Sequence, residues 1–99
     1  MLTRIEILSY LGENKVAFHD TFGICKIGLF GSFARDEQTD QSDIDILIDM
    51  SSDTEDMFDK RLKLRDLLMK RFSKKVDICH EKAIKPIFKD LVFKDAIYA

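Results

Sequence analysis

The sequence is short of several things, and each shortage excludes a class of protein. Its longest uninterrupted apolar run covers only a few residues, so no segment is expected to cross a membrane as a helix. Neither sign of charge dominates: 16 Lys and Arg stand against 18 Asp and Glu, for a net charge of −2. A general nucleic-acid binder carries a basic excess, so long nucleic acids are not the expected partner. Cysteine is scarce. Cys25 and Cys79 fall in predicted strands without C-x-x-C spacing, which reads as two buried thiols in a cytoplasmic protein and not as a disulfide or metal site. There is one proline, Pro86, and there is no repeat, low-complexity tract or long linker. The opening "MLTRIEILSYLGEN" carries charges inside its apolar pattern, so it reads as an amphipathic helix and not as a secretory signal.

What is present suffices for a core. The 99 residues are 45% hydrophobic and include eight Phe, which is expected to make one small domain over 1–99. Leu2, Ile5, Leu8 and Leu11 repeat at helical spacing behind Thr3, a possible N-cap, and predict a helix over 3–13. A polar link with His19, Asp20 and Gly23 is expected next. "ICKIGLFG" (24–31) reads as a strand, Ser32 to Arg35 as the first turn of a short helix, and 36–42 as an acidic surface loop. "DIDILIDM" (43–50) alternates as a strand. A long helix is expected from Thr54 to Phe72, with Phe58, Leu62, Leu68 and Phe72 in its apolar stripe. Its Lys60, Arg61, Lys63, Arg65, Lys70 and Arg71 form either a solvated face or a patch facing a phosphate or partner. "KKVDICH" (74–80) is a third strand, and Pro86 opens a last helix running to the C-terminus. The order is that of an α/β (α+β) domain, a small sheet flanked by helices.

The chemistry concentrates in "GLFGSFARDEQTDQSDIDILID", residues 28–49. Alternation puts Asp43, Asp45, Leu47 and Asp49 on one strand face, and Ile44, Ile46, Ile48 and Met50 on the core face. Asp43 and Asp45 then stand roughly 7 Å apart at Cα, where two carboxylates repel and resist ionisation. A divalent cation with hard oxygen preference, Mg²⁺ above all, removes that conflict and is commonly shared with substrate phosphates. Asp77 can reach the same face if its strand pairs beside 43–49, completing a set suited to two metals and phosphoryl displacement. Gly31 lets backbone approach a ligand closely, and Ser32 offers a hydroxyl at the start of a helical turn. An EF-hand reading of "DEQTDQSDIDIL" fails for want of the central Gly and terminal Glu. His19 and His80 read as surface or strand-end residues, with a minor site role left open for His80.

"GSFARDEQTDQSDIDILID" resembles the G-S-x-[AS]-R-G-x(n)-S-D-x-D-[IL]-x-[IV] motif of the DNA polymerase β-like nucleotidyltransferase superfamily. The short length and the "KVDI" strand resemble its minimal nucleotidyltransferase (MNT) proteins over essentially the whole chain. The resemblance implies the polymerase β-like fold with a small mixed sheet. It implies metal-binding and catalytic roles for Asp43, Asp45 and Asp77, triphosphate binding by Gly31 and Ser32, and supporting nucleotide-site roles for Arg35 and Ser42. Asp36 departs from the Gly that usually follows the Arg, which alters the loop backbone.

The implied reaction is transfer of AMP from ATP, with Mg²⁺ at a two-metal site, to a hydroxyl. MNT proteins of this type resemble the antitoxin half of HEPN–MNT toxin–antitoxin modules. In that picture the acceptor is a tyrosine of the HEPN ribonuclease toxin, and the two proteins form a hetero-oligomer. The apolar C-terminal helix is a candidate docking surface, against the alternative of ordinary packing on the sheet. Two other functions remain open: an antitoxin that neutralises by binding alone, and a nucleotidyltransferase acting on a small molecule such as an antibiotic.

Overall fold

A four-stranded mixed sheet carries the chain, here seen in a computed structural model describing all of residues 1–99. In chain order the elements are α1 (Arg4–Glu13), α2 (Lys15–Phe22), β1 (Ile24–Phe30), α3 (Gly31–Ala34), β2 (Ile44–Met50), α4 (Met57–Phe72), β3 (Val76–His80), a 3-10 turn (Glu81–Ala83), α5 (Pro86–Asp95) and β4 (Ile97–Tyr98). Across the sheet the strands run β3-β2-β1-β4, with β2 and β3 parallel and β1 antiparallel to both its neighbours. This is the small mixed sheet flanked by helices that the sequence predicts.

Local chemistry accounts for most boundaries. Thr3 caps α1: its hydroxyl accepts from the Glu6 amide at 3.2 Å, the first half of a capping box. The buried face of α1 is Ile7 and Leu11, whereas Ile5 is 72% exposed. The predicted stripe at three-residue spacing walks around the helix, while a four-residue pair stays on one face. The predicted polar link is instead helix α2. Phe18 and Phe22, again four apart, enter the core, His19 and Asp20 face out, and Gly23 closes the helix at φ +72. α4 begins at Met57, three residues later than predicted, and buries Leu64, Leu68 and Phe72; Phe58 is 66% exposed.

The two faces of β2 separate as alternation requires. Ile44, Ile46, Ile48 and Met50 join the main core beneath α1, α2 and α4. Leu47 is fully buried but lies outside that cluster, on the face of Asp45 and Asp49, where the 3-10 turn packs over β2.

Three expectations need correction. Cys25 is exposed, because a bulge between Ile24 and Lys26 breaks the alternation of β1, and Cys79 is only half-buried; both thiols are free. The last helix stops at Asp95, and Ile97–Tyr98 return as a strand against Gly28 and Leu29. Finally, α5 does not bury its apolar residues in the sheet: none of its residues is buried, and Ile87 and Leu91 are 81% and 67% exposed. No helix is long and apolar enough to cross a membrane.

Candidate active site

The site begins where β1 ends. Phe30 is extended, and Gly31 at φ +76 turns the chain at once into α3. A side chain at Gly31 is doubly excluded: the conformation is left-handed, and a Cβ there would overlap Asp45 Oδ2 and lie 3.1 Å from its Cγ. The strand registers explain this proximity. Phe30 pairs with Asp45 across β1–β2, and Asp45 pairs with Asp77 across β2–β3. In-register neighbours share a sheet face. Asp45 therefore stands between the β1–α3 turn on one flank and Asp77 on the other.

The electrostatics mark Asp45 as the centre. Burial, then the charges of Asp77 and Asp43, push its carboxyl up to about 6, and Arg35 partly opposes them. Asp43, just before β2, and Asp77 are both exposed, while Asp45 is half-buried. The three carboxylates do not close into a group able to hold an ion as they stand. Their chemistry nevertheless suits a hard divalent cation, which would offset the cost of ionising the half-buried Asp45 beside two like charges.

The remaining predicted residues divide. Ser32 is the second residue of α3 and half-buried, next to Gly31. Arg35 points along the surface: its Nε lies 3.3 Å from Glu37 Oε2 and its Nη1 3.3 Å from Asp95 Oδ2, so it ties α3 to the end of α5. The bond to Glu37 and then that to Asp95 raise its pKa. Ser42 Oγ accepts from the Thr39 amide at 2.9 Å and holds the turn before β2. Asp36 takes φ +60, the left-handed turn that a Gly would adopt; Asp is among the few residues that tolerate it. His80 lies beside Ile48 in the register, and its Nδ1 accepts from the Lys82 amide at 3.2 Å to cap the 3-10 turn. Beyond Asp77 the sequence offers only the basic stripe of α4, without marking which of its cations reach the site. There Arg61 and Arg65 of α4 join Leu62, Asp77 and Ile78 around a cleft of about 110 Å³. The only signal for them was the basic face of α4, which is equally the pattern of a solvated helix.

Residues 13–98 match the family model described as polymerase beta, nucleotidyltransferase. The chain belongs to this nucleotidyltransferase family. It is 37% identical over 99 residues to the provisionally named protein adenylyltransferase MJ1379 of Methanocaldococcus jannaschii, covering 99% of each chain. With the protein adenylyltransferase MntA of Thermococcus cleftensis it shares 32% identity over 98 residues, covering 99% of this chain and 97% of that one. A solved structure described provisionally as a minimal nucleotidyltransferase superposes with a TM-score of 0.77 at 25% identity, covering 97% of this chain and 95% of the other. A toxin–antitoxin structure with AMP-PNP has the same fold, with a TM-score of 0.67 at 22% identity over 98% of this chain and 72% of that chain. The nucleotidyltransferase is thus a minimal one that resembles the MntA type along nearly its full length, with its polymerase β-like fold as expected.

Proposed function

We propose that this nucleotidyltransferase transfers AMP from ATP to a tyrosine hydroxyl of a HEPN ribonuclease toxin and so acts as its antitoxin. The observation that carries the reading is the Gly31–Asp45–Asp77 row across the sheet, in a chain similar end to end to MntA, a protein adenylyltransferase. Gly31 and Ser32 hold the triphosphate, since nothing projects from Gly31 to keep phosphate oxygens away. Asp43, Asp45 and Asp77 are the residues that would hold Mg²⁺ at a two-metal site, which when bound neutralises phosphate charge and lowers the pKa of the acceptor hydroxyl. Arg35 and Ser42 act at one remove, by holding α3 and the loop before β2 in place.

In the transfer, the acceptor oxygen forms a bond to the α-phosphorus. The bond from that phosphorus to the α,β-bridging oxygen breaks, and pyrophosphate leaves with the electron pair. Asp77 orients the acceptor hydroxyl and takes its proton, which passes to water. Most of the acceleration comes from positioning and charge neutralisation. AMP on the toxin adds bulk and negative charge where an RNA phosphate would bind. The open apolar face of α5 is the docking surface for the toxin.

The test is to incubate the chain with ATP, Mg²⁺ and a HEPN toxin, and to read the toxin's mass. A gain of AMP, lost in Asp43→Ala and slowed in Asp77→Asn with nucleotide binding retained, supports the reading. Inhibition of the toxin with no mass gain would establish the second reading, neutralisation by contact alone, which the exposure of α5 favours independently of the carboxylates.

A further inference from the structure

The cleft beyond Asp77 is built differently from the rest of the basic face of α4. β3 is the edge strand of the sheet, and α4 packs against it while burying Leu64 and Leu68 in the core. Arg61 and Arg65 are one helical turn apart, so their guanidiniums cover neighbouring patches beside Asp77. Elsewhere on α4, Lys63 Nζ pairs with Asp59 at 3.1 Å, and Arg71 lies 5.0 Å from the Tyr10 ring centroid. Arg65 Nη2 is 3.7 Å from the exposed carboxylate of Asp66, and Arg61 lies 5.2 Å from the Phe58 ring centroid. Neither contact engages Asp77. The lining of this cleft, about 110 Å³ in volume, carries two guanidiniums and one carboxylate, with the Asp66 carboxylate on Arg65 lying outside it. Paired guanidiniums of this kind match the oxygens of a carboxylate or phosphate.

Position decides whose anion it is. Across the sheet the order is Gly31–Ser32 after β1, Asp45 on β2, Asp77 on β3, then the arginines of α4. In an in-line displacement the attacking and leaving oxygens stand on opposite sides of the phosphorus. With the triphosphate at Gly31–Ser32, the acceptor arrives from the Asp77 side. We infer that Arg61 and Arg65 form an anion subsite for the acceptor, positioning a carboxylate or phosphate that it carries close to the reacting hydroxyl. This rests on the proposed reaction. Both arginines are positioning residues and take no part in bond-making.

Two experiments test the subsite separately from the reaction. In the first, the guanidinium Nε–H resonances are followed while inorganic phosphate, or acetate, is added to the full chain. Saturable shifts are expected at Arg61 and Arg65 and are retained in Asp45→Asn. Saturation by phosphate alone points to a phosphate-bearing acceptor, and saturation by both points to an acidic side chain. The absence of saturation with either ion overturns the subsite, whether or not the chain transfers AMP. In the second, AMP transfer to the HEPN protein is measured in Arg61→Gln and Arg65→Gln. The acceptor KM is expected to rise about tenfold in each, with the KM for ATP unchanged, and Arg→Lys is expected to restore only part of the loss, because it keeps the charge and not the planar fork. A rise in the KM for ATP would assign the arginines to the donor, and unchanged KM values for both substrates would leave them as a solvated face; either result overturns the inference.

Discussion

The α-carbon of Gly31 backs onto the carboxylate of Asp45, so the turn that ends β1 and the acid at the head of β2 share one space. Gly31→Ala therefore acts twice. The left-handed backbone at φ +76 costs an L-residue about 1–2 kcal/mol, and the new methyl displaces the Asp45 side chain. We expect AMP transfer to fall at least about 100-fold, since small misplacements at a reacting centre are costly. The melting temperature drops by several degrees. Wild-type activity in Gly31→Ala would show that the close approach is unnecessary.

The raised pKa of Asp45 sets a pH dependence for activity. Its carboxyl, pushed up to about 6 by burial and by Asp77 and Asp43, takes up a proton as pH falls through that value, and under the proposed reaction would then no longer serve a cation. Rate–pH profiles are expected to show an acid limb near pH 6 at low Mg²⁺. The limb moves to lower pH as Mg²⁺ rises, because cation and proton compete for the same oxygens. A limb that stays fixed over a wide range of Mg²⁺ would place the titrating group elsewhere.

The same shift has the opposite consequence for stability. The folded pKa of Asp45 lies above the ordinary 3.8, so the folded chain binds the proton more tightly than the unfolded chain does. Stability from this group is present below about pH 4 and is lost as pH rises through about 6. At neutral pH without metal, ionised Asp45 is a liability. Asp45→Asn is expected to stabilise the metal-free chain at pH 7.5 by about 1 kcal/mol, a figure reduced for partial solvation of the site, or about 4–8 °C in Tm. It gains little at pH 4. Thermal denaturation at both pH values checks the sign; greater destabilisation at pH 7.5 than at pH 4 would contradict it.

α5 provides a separation of folding from association. Phe88 and Leu91 are 51% and 67% exposed, so Phe88→Ser and Leu91→Ser remove little buried surface from the chain itself. Their effect on its stability is expected to stay within about 0.5 kcal/mol. If the toxin covers this face, each substitution weakens the complex by about tenfold or more, measured by calorimetric titration. Undiminished affinity would move the docking surface off α5.

Much of this is readable along the chain because it is local. The Thr3 cap, the Gly31 break and the alternation of Ile44, Ile46 and Ile48 against Asp45, Leu47 and Asp49 depend on neighbours a few positions away. Helix α2 was also locally encoded, in the four-residue spacing of Phe18 and Phe22 and in Gly23, but the charged and polar residues between them resemble a link. β4 is harder to read: two residues make no period, and only the partner strand β1 turns Ile97–Tyr98 into a strand.

The sequence by itself determined which residues are acidic, which face of β2 carries them and where the chain breaks after β1. These follow from strand alternation and from the backbone freedom of glycine. The tertiary structure alone decided that Asp77 is the register partner of Asp45 and that Arg61 and Arg65 stand beyond it. It alone decided that the apolar residues of α5 remain uncovered. Each of these depends on which strand lies beside which and on where a helix lands against the sheet, and those relations are set by long-range packing that no local period encodes.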